Sequence, residues 1–165
     1  MRSKSILACL IPIAGLVQGV AAGQSGVGYL SAGGGSSSGA GCCTYQGPSG
    51  FAQYAAGGEF VAAQTVGFGA ELGGVTKNHS FAFVSMGASF HLFRNAASGK
   101  VDPFIAAGYT FASDLFNTAK GVNFGAGFNY WLAHHVGLRA EFRDIVFPGG
   151  TTANFWAIRG GIAFR

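Results

Sequence analysis

From about residue 50 onward, stretches of about ten residues alternate between apolar and small or polar positions with a period of two, the pattern of β-strands. The last stretch places Trp156, Ile158, Gly160, Ile162 and Phe164 on one face and Ala157, Arg159, Gly161 and Ala163 on the other. The stretch before it sets Val136, Leu138, Ala140 and Phe142 against Gly137, Arg139, Glu141 and Arg143. Upstream, Val122, Phe124, Ala126, Phe128 and Tyr130 oppose Asn123, Gly125, Gly127 and Asn129. Pro103, Ile105, Ala107, Tyr109 and Phe111 oppose Asp102, Phe104, Ala106, Gly108 and Thr110. Ala82, Val84, Met86, Ala88 and Phe90 oppose Ser85, Gly87, Ser89 and His91, with Phe81 and Phe83 on the small-residue side against the pattern. Val66, Phe68, Ala70 and Leu72 oppose Gly67, Gly69, Glu71 and Gly73. Phe51 to Phe60 predicts a second strand and Val27 to Ala32 a short, weakly marked first one, followed by a Gly/Ser loop over Gly33 to Gly50.

Eight such strands suit either a sandwich or a closed cylinder. In a secreted sandwich the apolar face packs inside and the other face meets water. Here the other face is mostly Gly, Ser, Asn and Ala, a poor solvated surface but a good lining for a narrow barrel. Composition argues the same way, because only 10% of residues are charged and 49% are hydrophobic, too few charges for a fully water-facing surface. The 14% aromatic content excludes a disordered chain. The expected fold is all-β, an eight-stranded antiparallel up-and-down transmembrane β-barrel. The connectors support it: Ala62 to Gln64 and Ala133 to His135 are short, while Gly33 to Gly50, Gly74 to Ser80, Ser113 to Lys120 and Pro148 to Ala153 are longer and fall at the opposite end. Asn95 to Lys100 is long for its end.

The first 22 residues read as a cleaved export signal: Arg2 and Lys4, an apolar stretch from Ile6 to Val20, then Val20-Ala21-Ala22 before the cut. The chain thus divides into a signal peptide (1–22), a short first strand with its Gly/Ser-rich loop (23–50) and the barrel body (51–165). Cys42 and Cys43 then remain in an oxidising space, but adjacent cysteines are too close for an unstrained bridge and form no disulfide framework. The net charge of +4 shrinks once the signal is removed, and no basic patch with interleaved aromatics is left, so no nucleic-acid partner is expected.

Four segments carry a resemblance: Val101-Asp102-Pro103-Phe104-Ile105-Ala106-Ala107-Gly108-Tyr109, Val122-Asn123-Phe124-Gly125-Ala126-Gly127, Trp131-Leu132-Ala133-His134-His135-Val136-Gly137-Leu138-Arg139-Ala140-Glu141-Phe142-Arg143-Asp144, and Phe155 to Phe164. Together they resemble the small eight-stranded outer-membrane β-barrel family, similar to the OmpA-type transmembrane domain. The resemblance implies a Gram-negative-type outer membrane as the location, outer-membrane lipids and the assembly machinery as partners, and insertion guided by the last strand.

Candidate chemistry is sparse. His79, Ser80 and Asp114 supply the residue types of a lipid A-modifying barrel without its arrangement, and no catalytic residues, metal or cofactor are expected. His134 and His135 on a tight turn point different ways with no third ligand nearby. The glycine pairs precede no helix N-terminus that would hold a phosphate. The inward face offers more: Glu71, Arg139, Glu141, Arg143 and Arg159 fall at similar heights and form an expected ion network across the interior. Trp156, Ile158, Ile162 and Phe164 are expected to face lipid. The expected function is that of a monomeric outer-membrane barrel with a structural or surface-interaction role and a plugged interior. The alternatives are a narrow passive pore for small solutes and, further off, a lipid A-modifying enzyme. The loops carry no motif that names a surface ligand.

Overall fold

The computed structural model describes residues 25–39, 49–62, 65–76, 80–92, 100–114, 117–149 and 152–165. They form β1 (Ser25–Ser38), β2 (Ser49–Ala62), β3 (Val66–Thr76), β4 (Phe81–His91), β5 (Val101–Ser113), β6 (Thr118–Trp131), β7 (Val136–Phe147) and β8 (Ala153–Phe164). Each strand pairs antiparallel with the next, and β8 pairs with β1 to close an up-and-down barrel. Closure matters because an open edge would leave a row of backbone N–H and C=O groups that lipid cannot satisfy. The signal read over residues 1–22, the two cysteines Cys42 and Cys43, and His79 lie outside the described residues.

Following hydrogen-bonded partners once around the barrel from Gly28 leads back to β1 at Ser38, ten residues further along. At about 3.3 Å per residue and ~4.8 Å between strands, that stagger tilts the strands by about 40° to the barrel axis. Neighbours at one height therefore come from quite different offsets along their strands. The end where β1 begins and β8 finishes is called the lower end below.

Side chains divide as alternation predicts. Phe68, Leu72, Met86, Ile105, Tyr109, Phe124, Phe128, Leu138, Phe142, Trp156, Ile158, Ile162 and Phe164 are all exposed on the outer wall. A continuous apolar belt of this size facing water would be an aggregation surface, whereas facing hydrocarbon it is matched to its solvent.

One feature departs from the sequence reading. β1 runs on through Gly33 to Ser38, residues whose composition alone suggests a loop. The glycines are there for proximity: a Cβ on Gly33 would collide with the carbonyl oxygen of Ile158, and one on Gly35 with that of Trp156. β1 and β8 approach so closely at this seam that only glycine leaves room on the inner side. Phe81 and Phe83 obey parity rather than hydrophobicity and point into the barrel. There they join Phe51, Ala55, Val75, Ala112, Ile145, Phe147, Ala153, Phe155 and Ala157 in an apolar layer across the upper half of the lumen. Phe155 is its hub, with ring centroids 5.7 Å from Phe51, 5.4 Å from Phe81 and 5.8 Å from Phe147. A smaller apolar group, Val27, Tyr29, Trp131 and Ala163, lies toward the lower end. Between these two layers sit the charges.

Candidate functional site

Period-two alternation on β7 projects Arg139, Glu141 and Arg143 into the lumen in succession, and β8 adds Arg159 while β3 adds Glu71 from across the barrel. All five are buried. Arg159 donates from Nη1 to Glu71 Oε1 at 2.8 Å and from Nη2 to Glu71 Oε2 at 2.9 Å, a two-pronged pairing. The same Nη2 lies 3.0 Å from Glu141 Oε2. Glu141 also accepts from Arg139 Nε at 3.1 Å and from Arg143 Nε at 2.7 Å, so one carboxylate serves three guanidiniums. Arg143 reaches Glu71 more loosely, at 3.8 Å. The Tyr29 hydroxyl completes Glu71 by donating to its Oε2 at 3.0 Å.

Arg139 sits between two rings, its guanidinium 4.1 Å from the centroid of Tyr29 and 4.0 Å from that of Phe104. A desolvated cation between two aromatic faces gains on the order of 2 kcal/mol or more from such contacts.

The network reaches further than the five residues on β3, β7 and β8. Toward the lower end Glu59, His91, Asp102, Ser89 and Asn129 join it, with His91 Nδ1 2.7 Å from Asp102 Oδ1 and Asn129 Oδ1 accepting from Arg139 Nη1 at 3.3 Å. Above, Arg143 donates to Asn123 Oδ1 at 2.7 Å, and Asn123 donates to Thr110 Oγ1 at 2.8 Å, which in turn contacts Ser85 Oγ at 2.8 Å. Alternation already put His91, Asp102, Asn123 and Asn129 on the inner face, but nothing in one strand links them to charges on another. Glu59 is hidden for a different reason. On β2 the inner face holds Phe51, Ala55 and Val61 and the outer face Tyr54 and Phe60, so hydrophobicity does not mark which side is in.

Ser89, His91 and Asp102 stand in the order of a nucleophile, base and orienting acid, with Ser89 Oγ 3.3 Å from His91 Nε2. The hydroxyl, however, directs its hydrogen to Glu59 Oε2 at 2.7 Å. The space beside it, a cavity of about 40 Å³ bordered also by Glu59, Glu71, Arg139 and Arg143, has room for roughly one or two waters. These groups are paired with one another rather than set up to attack a substrate.

The remaining candidates scatter. His134 and His135 lie in the β6–β7 turn, where the His134 carbonyl accepts from Arg165 Nε at 2.8 Å and His135 Nδ1 contacts the Arg165 carbonyl oxygen at 2.8 Å. Asp114 Oδ1 accepts from the Asn117 amide at 2.6 Å in the β5–β6 turn, and Ser80 is exposed. Among the described residues no three His, Cys, Asp or Glu side chains converge as a metal site. The lumen is therefore plugged by a buried Arg/Glu network held between two apolar layers.

No family model matches the chain, and a search of curated proteins gives no match either. Solved structures do match. The N-terminal β-barrel domain of Pseudomonas aeruginosa OprF is 14% identical with a TM-score of 0.61, the match covering 84% of this chain and 96% of that one. Neisserial surface protein A is 16% identical with a TM-score of 0.60, over 83% and 96% of the two chains. A de novo designed transmembrane β-barrel is 16% identical with a TM-score of 0.53, over 84% and 93%. At this level of identity the likeness lies in the fold, and the fold of this chain is the eight-stranded antiparallel transmembrane barrel of the outer-membrane proteins.

Proposed function

We propose that the protein is exported, loses residues 1–22, and resides as a monomer in the outer membrane of a Gram-negative-type cell, where it acts as a closed scaffold with a structural or surface-interaction role. The observation that carries this reading is Arg159 held between Glu71 and Glu141 in the middle of the lumen, with the Phe155-centred layer above it. A conducting pore needs a continuous wet path, and here side chains fill the cross-section. The lower end would face the periplasm and the β1–β2, β3–β4, β5–β6 and β7–β8 connectors the exterior. Outer-membrane lipids would cover the apolar belt, and the assembly machinery would insert the chain. That a structural neighbour is a neisserial surface protein is compatible with this role.

The small cavity beside Glu59 and Glu71 favours a second reading, a narrow passive pore. Single-channel recording on refolded protein in a planar bilayer separates the two: the scaffold gives no steady conductance, and a stable open level in the unmutated protein supports the pore. N-terminal sequencing of outer-membrane material tests export, with Gly23 expected as the first residue. An intact Met1 there would defeat it.

A further inference from the structure

At the lower end of the lumen His91 stands between two carboxylates from different strands. Nδ1 lies 2.7 Å from Asp102 Oδ1 on β5, and Nε2 lies 3.4 Å from Glu59 Oε1 on β2. Nε2 is also 3.3 Å from Ser89 Oγ, which has already committed its hydrogen to Glu59 and so turns a lone pair toward the ring. A neutral imidazole has one N–H and one bare nitrogen. With the proton on Nε2, the bare Nδ1 would face a carboxylate oxygen at hydrogen-bond distance; with it on Nδ1, the bare Nε2 would face Glu59 and the committed hydroxyl. Only a ring protonated on both nitrogens meets an acceptor at each.

The charge balance of the lumen points the same way. Among the described residues its carboxylates are Glu59, Glu71, Asp102 and Glu141, and its guanidiniums are Arg139, Arg143 and Arg159. Four anions face three fixed cations in a region screened from water, where an uncompensated charge is expensive. The arginines are concentrated on Glu141 and Glu71, leaving Glu59 with Arg139 at 3.9 Å and Asp102 with the Asn129 amide at 3.4 Å. The other neighbour of the ring is Phe104, with centroids 5.9 Å apart, which brings no charge.

We infer that His91 is held as an imidazolium, the fourth cation of the lumen, and that its two protons tie β2, β4 and β5 together at the lower end. The bond to Asp102 closes β4 on β5, while the contact with Glu59 bridges past β3 to a strand that β4 does not pair with. Unlike the arginines above it, which stay protonated, the clasp depends on a proton that an imidazole can lose.

Nitrogen NMR on the full chain, folded in detergent with ¹⁵N-labelled histidine at pH 7.5, reads the protonation directly. His91 should show two protonated ring nitrogens, with the signal assigned by its loss in His91→Gln or, should that variant not fold, by carbon–nitrogen correlation in the unmutated protein. A His91 signal with one bare nitrogen overturns the inference, because the missing proton then sits on a carboxyl or nowhere. Asp102→Asn removes one anion and should convert the ring to a neutral pattern; a ring that stays doubly protonated in that variant overturns the assignment of Asp102 as its partner. In the same variant the His91 backbone amide, which donates to the Thr65 carbonyl at 2.7 Å, should exchange with solvent about tenfold faster. Unchanged exchange there overturns the clasp.

Discussion

Arg159 on β8 pairs with both oxygens of Glu71 on β3 while one of the same nitrogens also touches Glu141 on β7, so a single guanidinium joins three strands through the middle of the barrel. The two acids do not carry equal loads. Glu71 holds one guanidinium closely and a tyrosine, whereas Glu141 holds three guanidiniums.

That inequality ranks two substitutions. Removing one partner of a buried ion pair strands the other and costs about 3–5 kcal/mol. Glu71→Ala should fall in that range, because Arg159 keeps Glu141. Glu141→Ala leaves Arg139, Arg143 and Arg159 crowded together and should destabilise more. Equilibrium unfolding in detergent and urea checks the order, and equal losses would contradict it.

Phe155→Ala separates the two seals of the lumen. Deleting a buried ring at the hub of the upper layer should lower stability by about 3–5 kcal/mol. If the ion network closes the barrel alone, bilayer recordings on this variant stay silent. Brief openings in Phe155→Ala that are absent from the unmutated protein would assign part of the seal to the aromatic layer.

The β1–β8 seam gives a contrast within one pair of strands. Gly35→Ala drives a methyl into the Trp156 carbonyl and should cost about 1–3 kcal/mol or prevent closure. Gly160→Ala, whose methyl would meet nothing within 4 Å, should be tolerated. Heat-modifiable mobility on a gel reads both, and a Gly35→Ala barrel that folds as readily as Gly160→Ala would refute the close approach.

On the outer wall Ile158 is 64% exposed. An arginine there, near the middle of the bilayer, should cost roughly 2–4 kcal/mol. Refolding yield into lipid vesicles should drop for Ile158→Arg and stay high for Ile158→Leu; similar yields would place Ile158 away from lipid.

How much of this was legible depends on what one strand can say. Parity along β7 and β8 exposes Arg139, Glu141, Arg143 and Arg159, because charges at alternate positions opposite Leu138, Phe142 and Ile158 admit one orientation. The same parity carries Phe81 and Phe83 inward against their hydrophobicity, since strand geometry fixes direction and side-chain chemistry does not. Gly33 to Ser38 has no side-chain alternation, so by itself it reads as a loop; its strand character comes from pairing with β2 and, over a long range, with β8. Which inward residues meet is set by the ten-residue stagger, a property of the closed ring that no segment contains. Glu59 is hidden for that reason too, and because its strand carries aromatics on both faces, so the apolar pattern does not show which side faces in.

The distribution of lumen charge along the chain bears on how the barrel forms. Counting His91 as protonated, β1 to β4 bring Glu59, Glu71 and His91, a net single negative charge; β5 to β8 bring Asp102, Glu141 and three arginines, a net single positive charge. Neither half is neutral, and a hairpin entering lipid by itself would drag unmatched ions into hydrocarbon. Stepwise insertion is thereby penalised, and the last step, in which the halves meet, is drawn together by opposite charge. The plug thus makes late, concerted insertion the cheaper route and gives a half-formed barrel reason to wait at the membrane surface until its other half arrives.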